Sequence, residues 1–360
     1  MRSGSIQASY VHEDGRRYYA PHTFTAKMDA EGWLSNERKL IELGEWTPPE
    51  DRQAVKSVRS ITVSEYAAKW LSERDLAPKT RHLYGELLDS RILPELGDVM
   101  MKAVTPADVR AWWVALNMEK KTPTRNTHSY QLLKTIFNTA RDDRVISDNP
   151  CQVKTAAKPP KPRDVQALTT AQLAKVAEAA PEHYRVAVFV SAWCGVRFGE
   201  LAELRHKDIQ VLGDRTVLRI RRQVTRVGNE LVVGPPKSEA GIRDVVVPPH
   251  VAVMLRDHLR AHTGQGTESL VFTTTRGQRL STTAFTKAVK RGYADVGKPG
   301  MRVHDLRHLG ATWAAIAGAT TKELMARIGH ATPAMAMRYQ IAAADRDAAI
   351  AAAMSGLVGE

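Results

Sequence analysis

The chain has 360 residues, 43% of them hydrophobic and 25% charged, with a net charge of +13, the composition of an ordinary globular protein long enough for two or three domains. No apolar run approaches the roughly 20 residues a membrane crossing needs, Met1–Tyr10 lacks the charged-then-apolar pattern of a secretion signal, and two isolated cysteines, Cys151 and Cys194, argue against a disulfide framework or a thiolate zinc site and for an intracellular protein. The charge favours a polyanionic partner, and it is concentrated: residues 169–360 hold 26 basic against 17 acidic side chains, whereas residues 1–60 hold nine of each.

In chain order, Ser5–Val11 and Arg16–Pro21 alternate like short strands around Glu13-Asp14-Gly15, a hairpin signal, and a helix is predicted from Lys27 to Glu42. Pro48-Pro49-Glu50-Asp51 reads as a linker. Thr62–Asn149 is helical in pattern: Tyr66, Ala67, Trp70 and Leu71 share one face, Leu83, Leu87 and Leu88 a second, and Leu132, Leu133, Ile136, Phe137 and Ala140 a third. Pro78 and Pro106 sit near helix starts, with Thr105 as an N-cap before Trp112 and Trp113. Such stripes fit core positions better than a base-stacking surface.

Lys158-Pro159-Pro160-Lys161-Pro162-Arg163 forms a basic, extended spacer, with a secondary reading as a segment lying along a DNA backbone. Beyond it, Ala171–Ala180 and Arg185–Trp193 are predicted helices, and Val217–Arg222, Glu230–Val233 and Asp244–Val247 predicted strands. Helices follow at Thr282–Tyr293, His304–Ala317 and Thr321–Ile328. Thr320 and Glu323 make a capping box, and Gly318 and Gly329 suit helix ends. Thr332-Pro333 opens one more helix, which carries Tyr339. The alanine-rich Ala342–Ala353 suits a mobile tail or a docking helix.

Several polar residues in this last third admit two readings each. Arg197 and Glu200 are either an ordinary i,i+3 ion pair or a carboxylate bracing a guanidinium fork that grips phosphate oxygens. His304 and Arg307 share one helical face. His304-Asp305-Leu306-Arg307-His308 mimics the HExxH zinc signature, but the short Asp misplaces a general base, no third ligand is evident, and Arg307 would set a cation beside the metal. No metal site is therefore expected. Lys237, after Pro235-Pro236, is a turn lysine that could protonate a leaving alkoxide. His330 could cap a helix and Tyr339 could pack half-buried.

Taken together, these residues resemble the tyrosine recombinase family of phage integrase (lambda-integrase-like) type. The matching text is Gly195-Val196-Arg197-Phe198-Gly199-Glu200-Leu201, the Lys237 turn, His304-Asp305-Leu306-Arg307-His308, Leu324-Met325-Ala326-Arg327-Ile328-Gly329-His330 with Ile328 for leucine, and Arg338-Tyr339. Upstream, Leu76-Ala77-Pro78-Lys79-Thr80, Leu96-Gly97 and Ile146-Ser147-Asp148-Asn149-Pro150 are similar to the helical core-site-binding (SAM-like) domain. Gly4-Ser5-Ile6 and Arg16-Arg17-Tyr18-Tyr19 are similar to the three-stranded arm-binding domain.

The resemblance implies a multidomain α+β protein. It would comprise a small three-stranded β arm-type DNA-binding domain at residues 1–50, an all-α core-site-binding domain at 60–150 and a basic proline-rich linker at 151–166. A mainly-α catalytic domain with a small antiparallel sheet and a C-terminal docking tail would fill 167–360. Tyr339 would be the nucleophile, Arg197, Arg307 and His330 would hold the phosphate, and Lys237 would be the general acid. His304 would be the general base or tyrosine positioner, and Glu200 a brace. Arg16, Arg17, Lys79, Arg81, Lys158, Lys161 and Arg163 would contact DNA. The implied reaction passes through a 3′-phosphotyrosyl link and a Holliday junction, without cofactor or metal. The implied partners are double-stranded core and arm attachment sites, a homotetramer on synapsed DNA, a host DNA-bending protein and an excisionase, in a bacterial cytoplasm and with no membrane. The source would be an actinobacterial phage or integrative element. The rivals are a type IB topoisomerase and a catalytically idle DNA-binding regulator.

Overall fold

The computed structural model describes residues 5–52, 61–157, 167–341, 351, 354 and 355. The chain forms two compact units, Met1–Lys161 and Pro162–Glu360. Their boundary falls inside the expected proline-rich linker.

In the first unit, β1 (Ser9–Val11) and β2 (Arg17–Tyr19) pair antiparallel with Ser9 opposite Tyr19. The turn between them is the foreseen one: Asp14 Oδ1 accepts from the Arg16 amide at 2.9 Å and Gly15 adopts φ 77°. The expected third strand is reduced to one antiparallel bridge, Ile6 with Phe24. Pro21 has no amide hydrogen with which to continue the ladder. Helix α1 (Lys27–Glu42) lays Ala30 against Ala8 and Ala20.

Four helices of ten or more residues follow: α2 (Val63–Glu73), α3 (Pro78–Leu87), α4 (Pro106–Glu119) and α5 (Pro123–Asp142). Three of them begin on a proline, whose missing amide hydrogen costs nothing in the first turn. Thr62 and Thr105 close capping boxes with Glu65 and Asp108. The three predicted apolar faces meet in one core, in which Leu133, Ile136 and Phe137 are fully buried. Each contributes roughly 1.5–3 kcal/mol of burial free energy.

The second unit opens with α6 (Thr170–Ala179), α7 (Glu182–Trp193) and the single turn α8 (Phe198–Leu201). Next come β3 (Ile209–Leu212), β4 (Arg215–Ile220), β5 (Gln223–Val227), β6 (Glu230–Gly234) and β7 (Arg243–Val247). They build a three-stranded antiparallel sheet in the order β3-β4-β7 and a separate β5-β6 hairpin. The unit finishes with α9 (Pro249–His262), α10 (Thr282–Asp295), α11 (Val303–Ile316), α12 (Thr321–Ile328) and α13 (Pro333–Ile341).

Three of these elements, β3, β5 and α9, were not anticipated. Neither strand alternates cleanly: β3 carries exposed Val211 and Leu212 beside Ile209, and β5 mixes Gln223, Thr225 and Arg226 with its valines. Helix α9 was legible: Pro249 starts it, and Val251, Leu255 and His258 are buried at helical spacing.

The packing of α11 on α7 decides where the polar residues of these helices end up. Gly310 makes it possible, because a Cβ there would stand 2.2 Å from the Ala192 carbonyl oxygen and 3.2 Å from Gly195 Cα. A backbone atom cannot step aside like the tip of a side chain. Gly310→Ala is expected to cost the second unit about 3 kcal/mol, the upper end of overpacking penalties, seen as a lowered thermal midpoint with Gly32→Ala, which meets open space, as control.

Candidate active site

Gly195, with φ 61°, turns the chain out of α7. Arg197 then takes the extended N-cap position of α8, and Glu200 follows one turn later with 1% exposure. Glu200 Oε2 accepts the Arg197 amide at 2.9 Å, and Oε1 accepts Arg197 Nη1 at 2.9 Å. From β7, Arg243 donates Nη1 to Oε1 at 3.1 Å and Nη2 to Oε2 at 2.9 Å. One buried carboxylate therefore holds two guanidiniums. Burial alone would favour its neutral form, but the bonds from Arg243, then those from Arg197, prevail and hold its pKa below the ordinary carboxylate value.

The same arginines reach the end of α12. That helix stops at Gly329, left-handed at φ 73°, and its last carbonyls have no partner within the helix. Arg243 Nε donates to the Arg327 carbonyl at 2.9 Å, Arg307 Nη2 to Ile328 at 2.6 Å, and Arg197 Nη2 to Gly329 at 2.8 Å. Arg307 Nη1 also donates to the Gly195 carbonyl at 2.6 Å. Three cations thus sit at the negative end of one helix dipole. Burial, and then the facing Arg197, push Arg307 down to about 9, so it is still charged at neutral pH.

His330 follows directly, 5% exposed, and its Nδ1 is buried with no hydrogen bond. Burial, then Arg307 and Arg197, lower its pKa to about 4, so the ring is neutral at pH 7. Its ring stacks on that of Tyr339 at 5.9 Å between centroids and 18° between planes. Tyr339 comes from α13 and packs, half-buried, against Ala311, Ala315, Leu324, Ile328 and Ala336. Its hydroxyl is hydrogen-bonded to His308 Nδ1. His304 lies one turn back on α11, its ring edge-on to His308 at 4.8 Å. Its pKa is held low by partial desolvation and then by His308 and Arg307, while its side chain keeps contact with solvent.

Arg197, Glu200, Arg307, His330 and Tyr339 are therefore brought together, with His304 at the margin. Lys237 is exposed on the turn after β6. That turn borders the site, because a Cβ on Gly241 would meet Pro236 at 2.5 Å and Arg197 Nη1 at 3.7 Å.

Two site residues escaped the sequence reading. Arg243 is 8% exposed on a strand whose burial alternates, and an inward-facing arginine there demands a buried carboxylate. His308 was in view inside its motif, but the i,i+3 pairing drew attention to His304 instead.

The expected DNA contacts separate. Arg16, Arg17 and Lys79 are exposed, whereas Arg81 donates to the carbonyls of Leu71 and Arg74 and so ties α3 to the end of α2. Lys158, Lys161 and Arg163 lie outside the described residues, as does the alanine-rich tail except for 351, 354 and 355. Among the described residues no cluster of three or more His, Cys, Asp or Glu could hold a metal, and no helix is long and apolar enough to cross a membrane. Cys151 and Cys194 are buried free thiols, each pushed up to about 12 by burial.

These shifts set a pH response. A folded-state pKa near 4 for His330, below its ordinary 6.5, means that between those values the unfolded chain binds the proton and the folded chain does not. Stability therefore falls as pH drops through that window. Glu200, also depressed, adds a loss once pH falls below the ordinary carboxylate value. The thermal midpoint of the second unit is expected to decline from about pH 6.5 to about pH 4, and His330→Gln to flatten the upper part of that slope.

Three family models match the chain: the phage integrase N-terminal domain over residues 1–43, the phage integrase N-terminal SAM-like domain over 62–116, and the phage integrase family over 163–346. The integrase of Mycobacterium phage L5 is 53% identical over 360 residues, spanning 99% of this chain and 96% of its own. The Tn1549 transposon integrase in complex with circular intermediate DNA shares the fold at a TM-score of 0.67 and 20% identity, over 78% of this chain and 95% of its own. A lambda integrase tetramer bound to a Holliday junction does so at 0.56 and 19%, over 92% and 94%.

Proposed function

Because the chain belongs to the phage integrase family, we propose that the cluster around Tyr339 is the active site of a site-specific DNA recombinase. The observation that carries this reading is that Arg197 and Arg307 meet on the last turn of α12, directly before His330, whose buried Nδ1 has no hydrogen-bond partner and whose ring stacks on Tyr339. Those groups can bind the non-bridging oxygens of a phosphodiester and stabilise the charge that grows as phosphorus becomes five-coordinate.

Tyr339 attacks phosphorus, leaving a 3′-phosphotyrosyl bond and a free 5′-oxygen, which Lys237 protonates from its turn. A 5′-hydroxyl from a partner strand then reverses the step, by way of a Holliday junction. One phosphodiester replaces another of similar energy, so the protein has only a barrier to lower. Glu200 fixes Arg197 in place.

In this reading residues 1–50 bind arm sites, 60–150 bind the core site, 151–166 form the linker and 167–360 perform the chemistry. The recombining species is a tetramer on two attachment-site duplexes in the bacterial cytoplasm, with a host DNA-bending protein as accessory and an excisionase for the excision direction. Support comes from the mycobacteriophage relatives and from the lambda tetramer that shares the fold.

The test is strand exchange between two duplexes that carry the junctions of the encoding element, with denaturing gels to trap protein-linked DNA. Arg197→Lys is expected to lose on the order of 100-fold in rate, since a point charge cannot reproduce a planar fork. Wild-type turnover in that variant would remove Arg197 from the phosphate site.

A further inference from the structure

We propose that His308, and not His304, is the base that takes the phenolic proton of Tyr339. The proposal rests on the nucleophilic role of Tyr339 argued above and adds a catalytic residue to it. Its basis is geometric: of the two histidines on this face of α11, His308 is the one hydrogen-bonded to the Tyr339 hydroxyl. His304 stands one turn away, its ring presented to the ring of His308.

The direction of the bond follows from acidity. A phenol with an ordinary pKa of about 10 is the stronger acid of the pair, so its O–H donates and the Nδ1 lone pair accepts. In the cleavage step the O–H electron pair becomes the new bond from Oη to phosphorus, and the proton moves to Nδ1. The bond from phosphorus to the 5′-oxygen breaks, and that oxygen takes a proton from the general acid. In the religation step a 5′-hydroxyl bonds to phosphorus and gives its proton back to the general acid, while the imidazolium returns its proton to Oη as the phosphotyrosyl bond breaks. Protons and electrons balance over the cycle without a co-reactant.

The ionisable groups around this pair include Arg307 and His304 on the same helix and His330, stacked on the phenol. Negative charge building at phosphorus favours the imidazolium at the moment of transfer.

The test uses the full chain and a nicked duplex spanning a junction of the encoding element, following covalent complex formation between about pH 6 and about pH 10. His308→Ala is expected to slow the reaction about 100-fold at neutral pH. It should regain rate as pH approaches the ionisation of the phenol itself, and should respond to added imidazole. His308→Gln, which offers an acceptor but cannot take a proton, should remain slow, while His304→Ala should show neither the alkaline recovery nor the imidazole response.

A wild-type rate in His308→Gln, or imidazole rescue confined to His304→Ala, would overturn the proposal. Nitrogen-15 spectra of the DNA-free protein give an independent reading: Tyr339→Phe should shift the His308 Nδ1 resonance, and an unmoved signal would mean that the bond is not made. Mapping the covalent peptide separates the two levels of argument. Attachment at a residue other than Tyr339 sinks the assignment of the nucleophile, whereas attachment at Tyr339 with an unaltered His308→Ala profile sinks only the base.

Discussion

Tyr339→Phe is expected to give no protein-linked DNA on a nicked substrate that releases its 5′-fragment, where the wild-type chain accumulates such a band. The rate loss should be on the order of 10⁴-fold or more, as for other removed nucleophiles. Affinity for the same DNA should stay within a few fold, because the substitution removes one hydroxyl and leaves Arg197 and Arg307 in place. The ring should keep its packing against Ala336 and Ile328, so the thermal midpoint should hardly move. A covalent band that survived in the phenylalanine variant would overturn the assignment, whatever its intensity.

The second large effect is expected at Glu200, and it is one of stability as well as rate. Glu200 has no exposed side-chain surface, and its partner Arg243 has 5%. Glu200→Gln removes the charge that compensates two guanidiniums, one of them buried. Breaking a buried pair from one side costs about 3–5 kcal/mol, which lowers the thermal midpoint of a unit of this size by roughly 10 °C. Activity should fall with it, because Arg197 loses its brace. The double variant Glu200→Leu/Arg243→Met tests the cause. It should recover part of the stability, as apolar replacements of buried pairs do, while activity stays low. An equally unstable double variant would mean that shape, and not charge, governs this position.

Much of this was legible from the residues alone. Periodicity placed α2 to α5 and their core, since Tyr66, Trp70, Leu87, Leu133 and Phe137 recur at helical spacing and all are buried. The capping-box pair Thr320 and Glu323 and the N-cap Thr105 marked two helix starts correctly. The site residues were readable as an ordered set, and the fold does gather Arg197, Glu200, Arg307, His330 and Tyr339.

What stayed hidden depends on contacts between distant segments. The pairing of Arg243 with Glu200 spans 43 residues, and that of Arg197 with the Gly329 carbonyl spans 132. No local rule connects them. The contact of His308 with Tyr339 was missed for a similar reason, because it requires the angle between α11 and α13. The third strand expected near the N-terminus is present only as the Ile6–Phe24 bridge, with Pro21, which has no amide hydrogen to offer a ladder, three residues before it.

The three arginines on the last turn of α12 have a consequence for timing during synthesis. Arg197, Arg243 and Arg307 each hold a different one of the consecutive carbonyls at residues 327, 328 and 329. Until that turn has left the ribosome, none of the three has its final anchor, and Tyr339 lies ten residues further on. The arginine cluster can therefore assemble only after the first unit and residues through 329 have been made.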